Sequence, residues 1–189
     1  MKSLIPTLLL ALLASCAAPP NTPRRLPIMY SQAFKDLGKG NGMGEFRESV
    51  RERQEERFVR VRELAAEDRI ETGEQFRFAA ALLAMSDNRL DLELAQELGK
   101  RGAELGDLPA RWFIAEATDK LLMIQGKPQK YGTQVNWIHV FSEYRLYKVD
   151  PATTDQQRAM VGLPPLTDLQ RLAEMRNEGK VYEAIRGER

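Results

Sequence analysis

From residue 45 onward, apolar positions recur about every 3.6 residues, and the breaks in that rhythm mark out the elements. Phe46, Val50, Phe58, Val61 and Ala65 predict a helix over 45–67 whose other face is dense in charge. Glu56–Arg60 and Glu48–Arg51 are spaced to pair along that face, which reads as solvated. Thr72-Gly73-Glu74-Gln75 spells a capping box, opening a broadly apolar helix over about 73–85. A third helix is expected over about 91–105, with Gly106 just past its end. Asp107 is then expected to cap a fourth, with Pro109 in its first turn, ending before Gly126. The short connections imply antiparallel neighbours.

The period then changes. Val135, Trp137, His139 and Phe141 alternate on one face, and Tyr144 to Val149 reads as a second strand. A hairpin is expected over about 134–149, and a lone hairpin must pack on something. Helical signals return with Thr154-Asp155-Gln156-Gln157, a second capping box, in a helix that stops at Gly162. Leu163-Pro164-Pro165-Leu166 is an apolar turn clamped against the body, and Thr167-Asp168-Leu169-Gln170 reads as a third box opening a helix to about Glu178. The expected fold is mainly α: a helical-hairpin bundle with one small β-hairpin near the C-terminal third, in a domain over residues 45–185.

The first 44 residues carry a different pattern. Lys2 precedes an apolar run from Leu4 to Ala14. A spanning helix needs about 20 such residues, so this shorter run fits a secretory signal. Ala17 to Ile28 holds Pro19, Pro20, Pro23 and Pro27, which predicts an extended, semi-rigid spacer. At about 3.1 Å per residue it could reach roughly 30 Å. Gly38, Gly40, Gly42 and Gly44 then suggest a flexible joint. Their spacing matches neither the dinucleotide fingerprint nor the P-loop. The expected divisions are a signal peptide over 1–15, a tether over 16–44, and the helical domain.

Composition narrows the function classes. The chain has 189 residues, 28 Lys+Arg against 27 Asp+Glu, one cysteine and one histidine. Near-neutral charge argues against a nucleic-acid partner. One cysteine excludes an intramolecular disulfide, and with one histidine no metal centre or cofactor is expected.

The lone cysteine stands at the end of Leu13-Ala14-Ser15-Cys16, directly after the apolar run. That string resembles the lipobox of bacterial lipoproteins. The resemblance implies cleavage before Cys16, a lipid on its sulfur and residence in the cell envelope. Two or more acyl chains anchor stably at about 0.8 kcal/mol per buried CH₂. The residue after the cysteine is Ala17, not the aspartate that favours inner-membrane retention. In a Gram-negative cell this points to the periplasmic face of the outer membrane.

Two further resemblances concern the body. The small residues Ala103, Gly106 and Ala110 resemble the turn of SEL-one-like repeats, cousins of the tetratricopeptide repeat. Only one such unit is present, so a hairpin rather than an array is implied. The strings Gly126-Lys127-Pro128-Gln129-Lys130-Tyr131-Gly132-Thr133-Gln134 and Asp150-Pro151, Thr153-Thr154-Asp155, Arg158 and Gly162-Leu163-Pro164-Pro165-Leu166 are similar to an uncharacterised bacterial domain-of-unknown-function family. That similarity covers roughly residues 70–175. It implies a fold rather than an activity. Many members of that family carry a Gln-His pair near the end of the second helix, where this chain has Ala84-Met85-Ser86-Asp87.

Two function classes follow. The first is a non-catalytic binding or scaffold module for an envelope protein or cell-wall ligand. Gln129, Tyr131, Gly132, Thr133, Gln134 and Trp137 would form its contact surface, since loop amides and aromatics dominate recognition. The alternative is an envelope hydrolase with Asp119 and His139 as acid/base partners. Asp119 falls in an apolar stripe with Trp112, Ala115 and Leu122. A buried carboxylate there must be hydrogen-bonded or paired, and loop amides near Gly132 to Gln134 are its expected donors.

Overall fold

The computed structural model describes residues 22–39, 44–138 and 143–177. Within them the fold is mainly helical, with one two-stranded antiparallel sheet in the C-terminal third. Cys16 and the signal segment, residues 40–43 of the glycine joint, and His139 lie outside the described residues.

The largest departure from expectation is at the start. Residues 23–39 are not an extended spacer. Pro23–Arg25 form a 3₁₀ turn and Leu26–Lys39 an α-helix, α1. Pro23 and Pro27 sit in first turns, where the missing N–H costs nothing. Leu26, Met29 and Ala33 then make a helical stripe, all buried. Proline density concealed this periodicity.

The second helix, α2 (Gly44–Ala66), buries Val50, Phe58, Val61 and Leu64. Its charged face is not wholly solvated. Arg57 is buried, donating to Gln54 Oε1 at 2.7 Å and to Asp36 Oδ2 on α1 at 2.7 Å. Arg53 adds two longer bonds to the same carboxylate. The hydrogen bond from Arg53 holds the Asp36 carboxyl below its ordinary value of 3.8, against partial burial, and Arg57 reinforces it. The ionised form is therefore favoured by folding, and its contribution is fully present above the ordinary value. It is lost as pH falls through the lower folded value. In urea titrations at pH 6, 3 and 2, the stability gap between wild type and Asp36→Asn should narrow as the pH drops. A gap independent of pH would refute this coupling.

The next three helices are α3 (Gly73–Leu83), α4 (Arg89–Glu104) and α5 (Ala110–Ile124). The capping box at Thr72 and Gln75 is present in both directions. Gly106, at φ +89°, ends α4 as expected. Asp107 does not cap α5; its Oδ2 accepts from Arg77 Nε at 3.0 Å, and Pro109 takes the N-cap position. A close helix approach falls at Gly102, not Ala103. A Cβ on Gly102 would lie 3.0 Å from Ala110 Cβ, 3.1 Å from Gly73 O and 3.2 Å from Phe76 Cβ. Gly102→Ala should therefore lower stability by about 1–2 kcal/mol in urea melts. Overpacking costs about 1–3 kcal/mol and outweighs a helix-propensity gain of about 1. An unchanged or higher midpoint would contradict the packing.

The main core lies among α1 to α5. Leu82, Leu83 and Leu92 are fully buried there, with Phe76 and Phe113 nearly so. A smaller core joins Ala115 of α5 to Leu163 and Leu169, with Trp112, Tyr131 and Leu146 against it. Thus α5 serves both, turning Phe113 and Ala117 one way and Ala115 the other.

The C-terminal part holds β1 (Val135–Ile138), β2 (Glu143–Leu146), α6 (Asp155–Met160) and α7 (Leu166–Asn177). The strands pair antiparallel, with Asn136 opposite Arg145. The box at Thr154 and Gln157 opens α6. The third expected box is absent, because α7 already begins at Leu166 and takes in Thr167. Asp155 Oδ1 instead accepts the Leu166 N–H at 2.9 Å.

Candidate functional site

The amide-rich loop after α5 is built around one carboxylate. Helix α5 ends at Gly126 (φ +71°), whose N–H bonds Met123 O, and the chain turns back along the helix. That brings residues 130–133 over Asp119, which is fully buried. Asp119 Oδ1 accepts the N–H of Lys130 at 2.7 Å and of Tyr131 at 2.8 Å. Its Oδ2 accepts the N–H groups of Gly132 and Thr133, each at 2.9 Å, and the Thr133 hydroxyl at 2.8 Å. Five donors fill the acceptor capacity of both oxygens. The donors run from Lys130 to Thr133, slightly upstream of the expected Gly132 to Gln134.

Gln129 is the second buried anchor. Its side chain bonds the residues flanking the two strands, Gln134 before β1 and Tyr147 after β2. The Oε1 accepts the Gln134 N–H at 2.8 Å, and Nε2 donates to Tyr147 O at 2.8 Å and Gln134 O at 3.1 Å. Its backbone forms a parallel bridge with Val149, donating to Lys148 O and accepting from Asp150 N. One residue therefore ties the loop to both strands of the hairpin.

Arg158 on α6 is the third anchor, 1% exposed. Its Nε donates to Tyr131 O at 2.9 Å, and its Nη1 to Thr153 O at 3.0 Å and Asp155 Oδ1 at 2.9 Å. The peptide joining Tyr131 to Gly132 is thus gripped from both sides. Its carbonyl accepts from the guanidinium and its N–H donates to Asp119. A buried cation and a buried anion polarise one peptide unit between them, which strengthens both bonds. Arg158 reads as a surface residue of a short polar helix. The signal for it lay in the family-like string that ends in Arg158 and Gly162-Leu163-Pro164-Pro165-Leu166.

Gly132 completes the turn at φ +95°. A Cβ there would sit 3.3 Å from both Leu166 Cδ1 and Leu169 Cδ1. Gly132→Ala should cost about 2 kcal/mol, mainly from the left-handed backbone. A melting point within a degree of wild type would show that the turn relaxes freely.

The site residues expected from sequence therefore separate. Gln129 and Gly132 are buried, and Thr133 is bound to Asp119. Gln134 has its N–H on Gln129 and its Nε2 on the Thr133 hydroxyl at 3.0 Å. Tyr131 is half-buried against the smaller core, with Lys130 Nζ 5.0 Å above its ring. Trp137 lies in β1 opposite Tyr144. The loop's backbone N–H groups from Lys130 to Gln134 are spent on internal bonds. His139, the expected partner of Asp119, is outside the described residues.

The hairpin that the loop anchors forms one wall of a groove. Strand β2 rests on α7, where Asn177 mimics a third strand: its Oδ1 accepts the Tyr144 N–H and its Nδ2 donates to Tyr144 O at 3.0 Å. Beside this contact runs a groove of about 560 Å³, lined among others by Glu143, Tyr144, Arg145, Gln170 and Glu174. Glu143 and Arg145 pair with one another at its edge. Sequence reasoning missed this groove because its walls are 24 residues or more apart in the chain. Among the described residues, no cluster of His, Cys, Asp and Glu could hold a metal ion, and no helix is long and apolar enough to cross a membrane.

Residues 107–182 match the model of DUF6624, a family of unknown function. The match takes in α5, the Asp119 loop, the hairpin, α6 and α7, and leaves α1 to α4 outside. It begins well after residue 70, where the sequence similarity was expected to start. No curated protein and no solved structure matches the chain.

Proposed function

We propose that this is a lipid-anchored envelope protein, attached through Cys16, whose C-terminal part is a non-catalytic binding module. The observation that carries the binding role is the groove between β2 and α7. It combines an aromatic residue, an arginine, two carboxylates and the Gln170 amide along one cleft, a donor and acceptor set suited to a linear polar ligand. The contact surface is thereby moved from the amide loop to the elements that the loop fixes. Asp119, Gln129 and Arg158 hold the hairpin and α6 rigidly, and rigid walls lower the entropy lost on binding. A segment of an envelope protein or a cell-wall peptide fits these walls. The hydrolase alternative gains nothing from Asp119, since a general base needs an oxygen in reach of the substrate proton.

The test is a photo-crosslinking residue at Gln170 in the full-length protein, in cells, alongside sedimentation of the purified protein with cell-wall sacculi. A specific adduct or co-sedimentation that Arg145→Ala removes, with folding intact, supports the groove. No adduct and no co-sedimentation by a folded wild type overturns the binding role.

A further inference from the structure

We infer that the groove between β2 and α7 takes an extended peptide, which adds to the outer edge of β2 as a third strand and displaces the side chain of Asn177. This rests on the binding role proposed for that groove and names its ligand class.

Strand register shows which peptide groups face the groove. The Tyr147 N–H bonds Gln134 O, one position beyond the paired strands. Antiparallel pairs alternate between bonded and non-bonded. Asn136–Arg145 is therefore the next bonded pair, and Tyr144 and Leu146 turn their peptide groups away from β1.

Both ends of this outer edge are already filled. Past β2, the Lys148 carbonyl and the Asp150 N–H bond the backbone of Gln129 in a parallel bridge. At the other end, Asn177 Oδ1 accepts the Tyr144 N–H and its Nδ2 donates to Tyr144 O at 3.0 Å. A carboxamide that accepts and donates at one residue does what the main chain of a neighbouring strand does. Leu146 lies between these two ends on the groove wall, and among the described residues no partner meets its outward N–H and C=O. A strand edge with such a gap is a template for an added strand.

The stand-in is removable. Both Asn177 bonds are exposed to solvent, so water replaces them when the carboxamide leaves. Charge narrows the peptide further. Glu143 pairs with Arg145, whereas Glu174 has no ion pair among the described residues. A lysine or arginine of the peptide supplies one. The four residues of β2 span about 14 Å, which sets the length of peptide read by this edge.

The experiment selects binders from a phage library of random linear peptides with a fixed central lysine, on full-length protein in detergent micelles. Peptides that bind wild type but not a folded Arg145→Ala variant are then synthesised with a single backbone N-methyl group at each position in turn. Strand addition predicts a period of two. Methylation at alternate residues should lower affinity about tenfold, because only alternate N–H groups face β2. Asn177→Ala, which lacks the competing carboxamide, should bind severalfold more tightly than wild type. Hydrogen exchange at the Leu146 amide should slow when peptide is bound. Methylation tolerated at every position, or equal affinity for Asn177→Ala, overturns strand addition, while dependence on Arg145 leaves the groove standing as a binding site. No enrichment over a protein-free support also overturns strand addition, and the crosslink at Gln170 then decides the binding role independently.

Discussion

Asp119→Asn should destabilise the protein as much as Asp119→Ala, by about 3–5 kcal/mol. Asparagine is nearly isosteric, so the expectation depends on hydrogen-bond direction alone. Each carboxylate oxygen faces two backbone N–H groups, and Oδ2 faces the Thr133 hydroxyl as well. An asparagine amide has one acceptor and one donor end. Whichever way it is turned, its NH₂ points at two N–H donors. Those donors are shielded from water, so they lose their partner without replacement. Alanine leaves all four amides orphaned but adds no repulsion. Two measurements check this. Urea denaturation should show both variants near or beyond the unfolding limit at neutral pH. Hydrogen exchange should show the Lys130 to Thr133 amides protected in wild type and fast in any variant that still folds. A residue serving only as acid or base predicts the reverse, a stable Asp119→Asn protein with those four amides still protected. That result would refute the anchoring role.

The same locality explains what was readable beforehand. Capping boxes at Thr72 and Thr154 and the glycine end at Gly106 are decided within four residues of chain, and they form where expected. A carboxylate in an apolar stripe announces a buried acceptor, so Asp119 was legible as a residue in need of loop amides. Helix α1 was hidden because two prolines in tolerated first-turn positions look the same in sequence as prolines in an extended spacer. Asp107 illustrates a competition that sequence cannot decide. It has the chemistry of a cap, but Arg77, 30 positions earlier, offers a charged donor and takes it. Arg158 and the groove depend wholly on distant segments meeting. Gln129 is the intermediate case: a glutamine in a loop reads as a contact residue, and only its burial between two strands shows that it binds its own chain.

The shared peptide between Tyr131 and Gly132 makes these anchors a coupled set rather than three separate ones. Asp119 and Arg158 approach the same peptide plane from opposite edges, so weakening either loosens the other's bond. Asp155 extends the chain of dependence, since its Oδ1 accepts from both Arg158 and the first N–H of α7. Helix α7 in turn supplies Asn177 to the edge of β2. Helix α5 thus reaches the groove walls through an unbroken series of hydrogen bonds, which is why lesions at the buried anchors should be felt as loss of groove geometry.

Gln129→Leu tests that dependence at its most sensitive point, with an expected loss of about 3 kcal/mol. Leucine fills similar space, so cavity formation contributes little. The cost arises from the Gln134 N–H and the Tyr147 carbonyl, which the carboxamide joins and which leucine leaves half-buried and unpaired. The direct bond from Tyr147 N to Gln134 O at 3.0 Å remains, so the hairpin should persist while its junction with the loop loosens. Gln129→Glu separates size from polarity differently. Its oxygen can still accept from Gln134 N–H, but the second oxygen would face two carbonyls where Nε2 now donates. It should therefore cost at least as much as leucine. Thermal melts of the three proteins give the order: wild type above Gln129→Leu, and Gln129→Leu level with or above Gln129→Glu. Exchange at the Gln134 amide should accelerate in Gln129→Leu ahead of the Arg145 amide within β2. If the leucine variant melts with wild type, the carboxamide is not an anchor, and Gln129 returns to the contact surface that its sequence position suggests.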